Sequence, residues 1–449
     1  MASNRELIVS VSGIRGIVGE GLTAEPSLAF AAALGTYAGG GRIVLSRDGR
    51  PSGAMLRHAV LAGLLGAGCE VQDVGVTPTP TCGVAVRNLH AAGGIQITAS
   101  HNPAPWNGLK LFGADGRVLP AAEGQKVQTL FAARRFRRAA WSSLGTVAEC
   151  LQAEAWHRER VLAQIDVARI RTRRLRPFLD ANGGAGGPAG RHLLEALDAR
   201  PVCIGCGADG VFAHEPEPTA DNLREVCPRV AREGADVGFA LDPDADRLAL
   251  IDETGAYVGE ELTLALAVLF RLGQEKGPVV INMSTSRVVE DLALVFGCPC
   301  HRTAVGEANV ADKMREVGAV IGGEGNGGVI DPRVGLVRDP FIGMGLVLNL
   351  LAETDRKLSE VVANLPAYAI VKDKYTVERE RLPRLFAVLE ERWTDARANR
   401  LDGLRLDWPD RWLHVRPSNT EPIVRVIAEA PRPDEARRLC AEVGRLLQP

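Results

Sequence analysis

Residues 237–247 read VGFALDPDADR: an apolar run that passes without a break into a loop carrying Asp242, Asp244 and Asp246. A short apolar run that ends in polar residues is the pattern of a buried strand delivering a loop to one edge of its sheet. The same combination occurs on either side of it. Residues 95–98 run into Thr98-Ala99-Ser100-His101-Asn102-Pro103, and residues 319–321 run into Gly322-Gly323-Glu324-Gly325-Asn326-Gly327-Gly328. Each of the three is preceded by an opening strand-like run (43–46, 177–180, 279–282), a turn (Arg47-Asp48-Gly49-Arg50, Asn182-Gly183-Gly184, Ser284-Thr285-Ser286), a helical stretch and a second apolar run. This alternation predicts three α/β units. Open α/β sheets bind ligands at the carboxyl ends of their strands, so three equivalent units could aim three loops at one cleft.

Beyond Pro366 the pattern changes. Charged helical stretches lead to a strand-like run at 412–415, then to Arg416-Pro417-Ser418-Asn419-Thr420-Glu421-Pro422, and residues 433–447 carry apolar residues at helical spacing. The reading is therefore four domains, 1–148, 149–248, 249–362 and 363–449, the last smaller and different in kind.

The composition of the 449 residues, 46% hydrophobic and 24% charged with a formal net charge of -2, is globular and supplies no basic field for nucleic acid or anionic lipid. An anionic substrate must be held by local groups. The first ten residues do not form a secretory signal, and the longest apolar run, 262–270, is far short of the roughly 20 residues of a membrane span, so a cytoplasmic protein is expected. Nine cysteines are an odd and scattered set, expected as reduced thiols. Cys203/Cys206 and Cys298/Cys300 raise the question of a zinc site, but neither pair has a well-spaced partner pair.

Three alternating carboxylates in an extended loop call for a hard divalent cation. A calcium loop fails on detail, because Arg247 replaces the glycine needed at its sixth position and residues 248–251 read as a strand; a solvated acidic turn is the bland alternative. Ser100 sits where its hydroxyl would be exposed, with His101 as its neighbour, although adjacency alone does not supply the geometry of an activating histidine. Lys110, beyond Asn107-Gly108, is a candidate proton carrier if burial or cationic neighbours lower its pKa. Arg416, Ser418, Asn419, Thr420 and Arg425 combine guanidinium, hydroxyl and amide donors suited to a phosphate dianion. Glu324 and Asn326 lie in a glycine-rich stretch where backbone can approach a ligand, and their side chains match sugar hydroxyls.

Taken together these motifs resemble the α-D-phosphohexomutase family over nearly the whole chain. TASHNPAPWNGLK (98–110) looks like its active-site serine loop, DPDADR (242–247) its metal loop, residues 324–328 its sugar loop, and RPSNTEP (416–422) its phosphate loop; SGIRG (12–16) resembles its N-terminal motif and makes Arg15 an active-site candidate. The resemblance implies three similar α/β domains with mixed sheets plus a smaller C-terminal α+β domain around a central cleft. It implies a mutase that exchanges phosphate between the 1- and 6-positions of a hexose phosphate, through phosphorylated Ser100 and a bisphosphorylated hexose. One Mg2+ per chain would be held by Ser100, Asp242, Asp244 and Asp246. Catalytic work would fall to Ser100, His101, Lys110 and Arg15, and substrate binding to Arg247, Glu324, Asn326, Arg416, Ser418, Asn419, Thr420 and Arg425, in a monomer or homodimer that binds neither nucleic acid nor membrane. Where some bacterial members have histidine the chain has Gly328, so a proton-transfer role there does not carry over. GEGNGG with SGIRGIVG looks most like the archaeal-type phosphoglucosamine mutase branch and its phosphomannomutase relatives, which favours glucosamine phosphate over mannose or glucose phosphate.

Two other readings compete. The apolar strand running into Asp242-Pro243-Asp244 also suits an aspartyl-phosphate phosphatase with Asp242 as nucleophile. An inactive sugar-phosphate binding protein is the other, and the joint presence of Ser100, three aspartates and Lys110 argues against it.

Overall fold

The computed structural model describes residues 6–417 and 423–447, so Ser418, Asn419 and Thr420 lie outside the described residues. Among the described residues four sheets form.

The first sheet grows from Ile43–Arg47, which pairs in parallel with Glu70–Val76 and Gly93–Ile97. Trp106–Gly113, Gly13–Ile17 and Ile8–Ser10 extend it antiparallel on one side, and Thr146–Glu149 adds in parallel on the other. Ile43, Val44, Leu45, Ile95 and Ile97 are all buried, which is why these strands read as apolar runs rather than alternations. The helices Ala24–Tyr37 and Gly53–Gly66 touch at Gly63, where a Cβ would come 2.3 Å from the Leu28 carbonyl oxygen; only glycine permits so close an approach.

The second sheet has the order Tyr257–Gly259, Leu248–Asp252, Val237–Leu241, Pro177–Asp180, Val202–Ile204, mixing parallel and antiparallel pairs. It therefore keeps the hairpin return of Val237–Leu241 and runs past residue 248, where the sequence pattern suggested a boundary. In the third sheet, ordered Cys300–Thr303, Val279–Asn282, Ile321–Glu324, Gly328–Ile330, the strand is Ile321–Glu324 rather than 319–321. Gly322 and Gly323 read as loop by propensity, but a Cβ on Gly322 would lie 2.5 Å from the Val280 oxygen and one on Gly323 2.1 Å from the Gly328 oxygen. Close backbone packing overrides propensity here.

The second and third units share one apolar core, crossed by the helix Pro340–Thr354, which is buried from Pro340 to Ala352. The fourth unit has its own core beneath an antiparallel sheet and the helices Leu382–Arg392 and Pro433–Leu447. Arg416 lies on its strand Trp412–Pro417, not in the loop that follows. This unit meets the third through polar groups. His414 donates from Nε2 to the Asp402 carbonyl (2.6 Å) and accepts at Nδ1 from Ser284 Oγ (3.0 Å), Glu429 accepts from the Arg287 N–H (3.0 Å) and from Trp412 Nε1 (2.9 Å), and the Val305 N–H donates to Asp402 Oδ2 (3.0 Å). Among the described residues no helix is long and apolar enough to cross a membrane.

Burial, reinforced by Arg405 and Arg416, pushes the His414 imidazole down to about 4 from an ordinary 6.5. The unfolded chain then takes up this proton first, so the contribution is complete above about pH 6.5 and is lost as pH falls toward 4. Between pH 7 and 5 stability should drop by about 2 kcal/mol on this account, and His414→Gln should flatten the profile. Denaturant melts of both proteins across that range measure it.

Candidate active site

Val237–Leu241 ends in Asp242, Asp244 and Asp246, all fully buried, with ligand oxygens within 4.8 Å of one another. Ala245 holds a left-handed φ of 49°, which folds the loop tightly enough for Asp242 Oδ1 to accept the N–H groups of Asp246 (3.0 Å) and Arg247 (3.1 Å). Thr79 donates its backbone N–H to the Asp244 carbonyl (2.8 Å) and its hydroxyl to Asp244 Oδ2 (2.6 Å). Lys110 reaches Asp246 Oδ2 (2.7 Å) and Asp244 Oδ2 (3.3 Å), and Arg338 reaches Asp246 Oδ2 (2.6 Å). Burial and the charges of Asp244 and Asp246 push the Asp242 carboxyl well up. Burial also opposes ionisation of Asp246, but Arg338, Lys110 and Arg247 outweigh it and hold that carboxyl below the usual range.

Ser100 meets this loop from the first unit. Its Oγ donates to Asp242 Oδ2 at 3.0 Å and lies 3.3 Å from His101 Nδ1. Its φ of 49° is left-handed and unusual outside glycine. Arg50, 1% exposed, holds it there: Nη2 donates to the carbonyls of Ser100 (2.7 Å) and Asn102 (2.6 Å), and Nη1 to those of Pro103 (2.9 Å) and Trp106 (3.1 Å). Asp48 in turn accepts from Arg50 Nε (3.1 Å) and from Thr98 Oγ1 (2.7 Å). In sequence Arg50 and Asp48 are merely turn residues; nothing local shows that one guanidinium satisfies four carbonyls of a loop some 50 positions on.

The other candidates line a cleft of about 630 Å³. Arg15, on Gly13–Ile17, donates to Asn102 Oδ1 (2.7 Å). Arg247 pairs with Glu217 (3.0 Å), and Arg247, burial and Arg15 together push the His101 imidazole well down, which favours its neutral form. Lys110 does not meet the condition set for a proton carrier: burial opposes its charge, but Asp246 and Asp244 prevail and raise its pKa. Glu324 is already engaged, accepting from Asn282 Nδ2 (2.8 Å), the Gly306 N–H (2.9 Å) and Arg338 Nη1 (3.1 Å). Asn326 Oδ1 is buried without a protein partner. Arg416 is clamped through Nε by Asp402 (2.9 Å), and Arg425 stands opposite it on Ile423–Ala430. Arg50, Thr79, Arg338 and Asp402 are the neighbours that sequence reasoning missed, each a residue whose importance comes only from tertiary contact.

Asp244 Oδ1 and Asp246 Oδ1 are buried and lack any hydrogen-bond partner. Orphaned carboxylate oxygens on two of three clustered aspartates, the third in contact with a serine hydroxyl, make an all-oxygen donor set that fits a hard divalent cation. The nine cysteines are free, and among the described residues none joins a metal-capable group.

Family models describing the phosphoglucomutase/phosphomannomutase domains match the chain in series: α/β/α domain I over 7–138, domain II over 156–255, domain III over 259–368 and the C-terminal domain over 369–446. A Methanopyrus kandleri protein named "Probable phosphoglucosamine mutase" is 36% identical, over 95% of each chain. A Thermococcus kodakarensis protein named "Phosphoglucomutase/phosphomannomutase" is likewise 36% identical over 95% of each. The crystal structure of a phosphoglucomutase/phosphomannomutase family protein from Burkholderia thailandensis superimposes with a TM-score of 0.86 at 27% identity, over 98% of this chain and 96% of that one.

Arg50→Lys keeps the charge but not the planar fork, leaving buried carbonyls unsatisfied. It should destabilise the protein by about 2–4 kcal/mol and lower kcat by about 100-fold by releasing Ser100 from its left-handed conformation. Denaturant titration and steady-state kinetics test both halves.

Proposed function

The chain belongs to the phosphoglucomutase/phosphomannomutase family and is a phosphohexomutase, and from that premise we propose that Ser100 carries the migrating phosphoryl group beside one Mg2+ and that the sugar is glucosamine phosphate. The observation that carries this reading is the Ser100 hydroxyl, 3.0 Å from Asp242, on the loop whose Asp244 and Asp246 each keep a buried carboxylate oxygen without a partner.

In the forward half-reaction the P–Oγ bond of phosphorylated Ser100 breaks as a bond forms from phosphorus to the free sugar hydroxyl, giving a bisphosphorylated hexose; the second half returns the other phosphate to Ser100. Magnesium, held by Asp242, Asp244 and Asp246, supplies charge neutralisation to the phosphoryl oxygens when bound. Lys110, its ammonium form favoured by Asp246 and Asp244, adds positive charge to the same loop. Neutral His101, its Nδ1 3.3 Å from Oγ, is placed to exchange the proton that each transfer moves. Arg416, preset by Asp402, and Arg425 bind the phosphate that is not reacting. The preference for glucosamine phosphate is supported by the names of relatives and by a carboxylate-rich cleft wall, where Glu260 Oε1 is buried without a partner and could meet an ammonium group on the sugar.

Ser100→Ala should lose at least about 1000-fold in turnover with an unchanged melting curve. Phosphate from labelled bisphosphate should stay on Ser100 through hydroxylamine treatment; a hydroxylamine-labile label would instead support the aspartyl-phosphate reading with Asp242. In coupled assays kcat/KM for glucosamine 6-phosphate should exceed those for mannose and glucose 6-phosphates by about tenfold or more, and the reverse order would reject the sugar assignment. Arg416→Ala should raise KM and lower kcat while leaving Ser100 phosphorylation intact, since remote phosphate binding orients the reacting end. Normal KM with loss of phosphoserine would place Arg416 at the transfer site.

A further inference from the structure

Arg338 lies just before the helix Pro340–Thr354 and is 8% exposed. Its guanidinium bridges the acidic loop and the end of the strand Ile321–Glu324, with Nη2 on Asp246 (2.6 Å) and Nη1 on Glu324 (3.1 Å), while Nε lies 3.5 Å from Glu307 Oε2. Its backbone is pinned as well: its N–H donates to Glu307 Oε1 (2.7 Å), and the next residue, Asp339, donates its N–H to Val329 (2.7 Å), caps the helix and pairs with His157 (2.8 Å). Gly328 leaves the path for this side chain open, since a Cβ there would fall 2.2 Å from Arg338 Cδ and 2.8 Å from Cγ.

We propose that Arg338 is a positioning residue for phosphoryl transfer, fixing the sugar loop against the acidic loop so that the reacting oxygen and the cation keep one separation, and that Gly328 is the space this requires. The proposal rests on the phosphohexomutase reading for the reaction but not on the choice of sugar. Together with Lys110, Arg338 engages Asp246 Oδ2 and leaves Oδ1 free to face the metal position. Its other nitrogen holds Glu324, whose Oε1 is tied to Asn282 and Gly306. Lysine lacks the two separate nitrogens with which Arg338 reaches Asp246 and Glu324, so it should restore the bridge only in part.

The consequence separates positioning from simple support of the fold. Arg338→Met removes a cation from beside the metal position, so Mg2+ affinity should hold or tighten, as electrostatics demands. Binding of hexose 6-phosphate to metal-stripped protein should nevertheless weaken about tenfold, and kcat of the Mg2+-loaded enzyme should fall about 100-fold. Arg338→Lys should recover only part of both losses. Calorimetric titrations of Mg2+ and of hexose 6-phosphate, with steady-state kinetics, read these out. Should Arg338→Met fail to fold, Gly328→Ala makes the same test without changing charge, by displacing the arginine stem; it should lower kcat and sugar-phosphate affinity in the same direction. Near-wild-type sugar-phosphate binding and kcat in a folded variant would overturn the proposal, as would loss of Mg2+ binding in step with a lowered melting temperature, which would mark Arg338 as structural. Loss of all turnover in the wild type toward every hexose phosphate tried would instead count against the mutase reading, leaving the binding measurements to judge Arg338.

Discussion

Three carboxylates buried at the end of one strand set the terms for everything around them. An uncompensated buried charge costs several kcal/mol, so Asp242, Asp244 and Asp246 can stay inside only if other parts of the chain bring donors to them. The first unit brings Ser100, Thr79 and Lys110, and the third brings Arg338. The acidic loop is therefore the point at which three α/β units are tied together. Two of its oxygens remain unsatisfied after all of these contacts, the feature that distinguishes a metal cradle from an ordinary salt-bridge network.

The mechanical consequences differ from unit to unit. The second and third share a close-packed apolar core, which limits how far the acidic loop and residues 324–328 can move apart, while Arg338 sets their contact at the cleft. The fourth has a separate core and docks through His414, Glu429 and Asp402. Polar interfaces of this kind permit relative movement more readily than apolar ones. Asp402 lies at the junction, since its Oδ2 accepts both from Val305 in the third unit and from Arg416 in the fourth. The group that holds Arg416 is thus also one that latches the two units.

Much of this could be read from the sequence, for identifiable reasons. The strands Val237–Leu241 and Pro177–Asp180 are buried on both faces and so leave uninterrupted apolar runs, and their polar loops stand out at the ends. The amphipathic spacing of 433–447 matches the helix Pro433–Leu447. Propensity misled at Gly322 and Gly323, where backbone approach and not side-chain preference makes the strand; residues 248–251 read correctly as a strand, and only tertiary pairing shows that it returns to the preceding sheet. Arg50 and Arg338 could not be read at all. An arginine in a turn looks like solvent-facing charge until tertiary structure brings carbonyls or carboxylates to it, and no local pattern records that.

The central claim is that the acidic loop presents Asp244 Oδ1 and Asp246 Oδ1 to a divalent cation facing Ser100. Anomalous diffraction from crystals soaked in Mn2+, a scatterer that replaces Mg2+ at all-oxygen sites, tests this most directly. The account predicts a single strong peak among Asp242, Asp244, Asp246 and Ser100 Oγ, at about 2.1–2.3 Å from the coordinating oxygens. A peak elsewhere in the cleft, or Lys110 and Arg338 still closing an empty carboxylate cluster at saturating Mn2+, would contradict it.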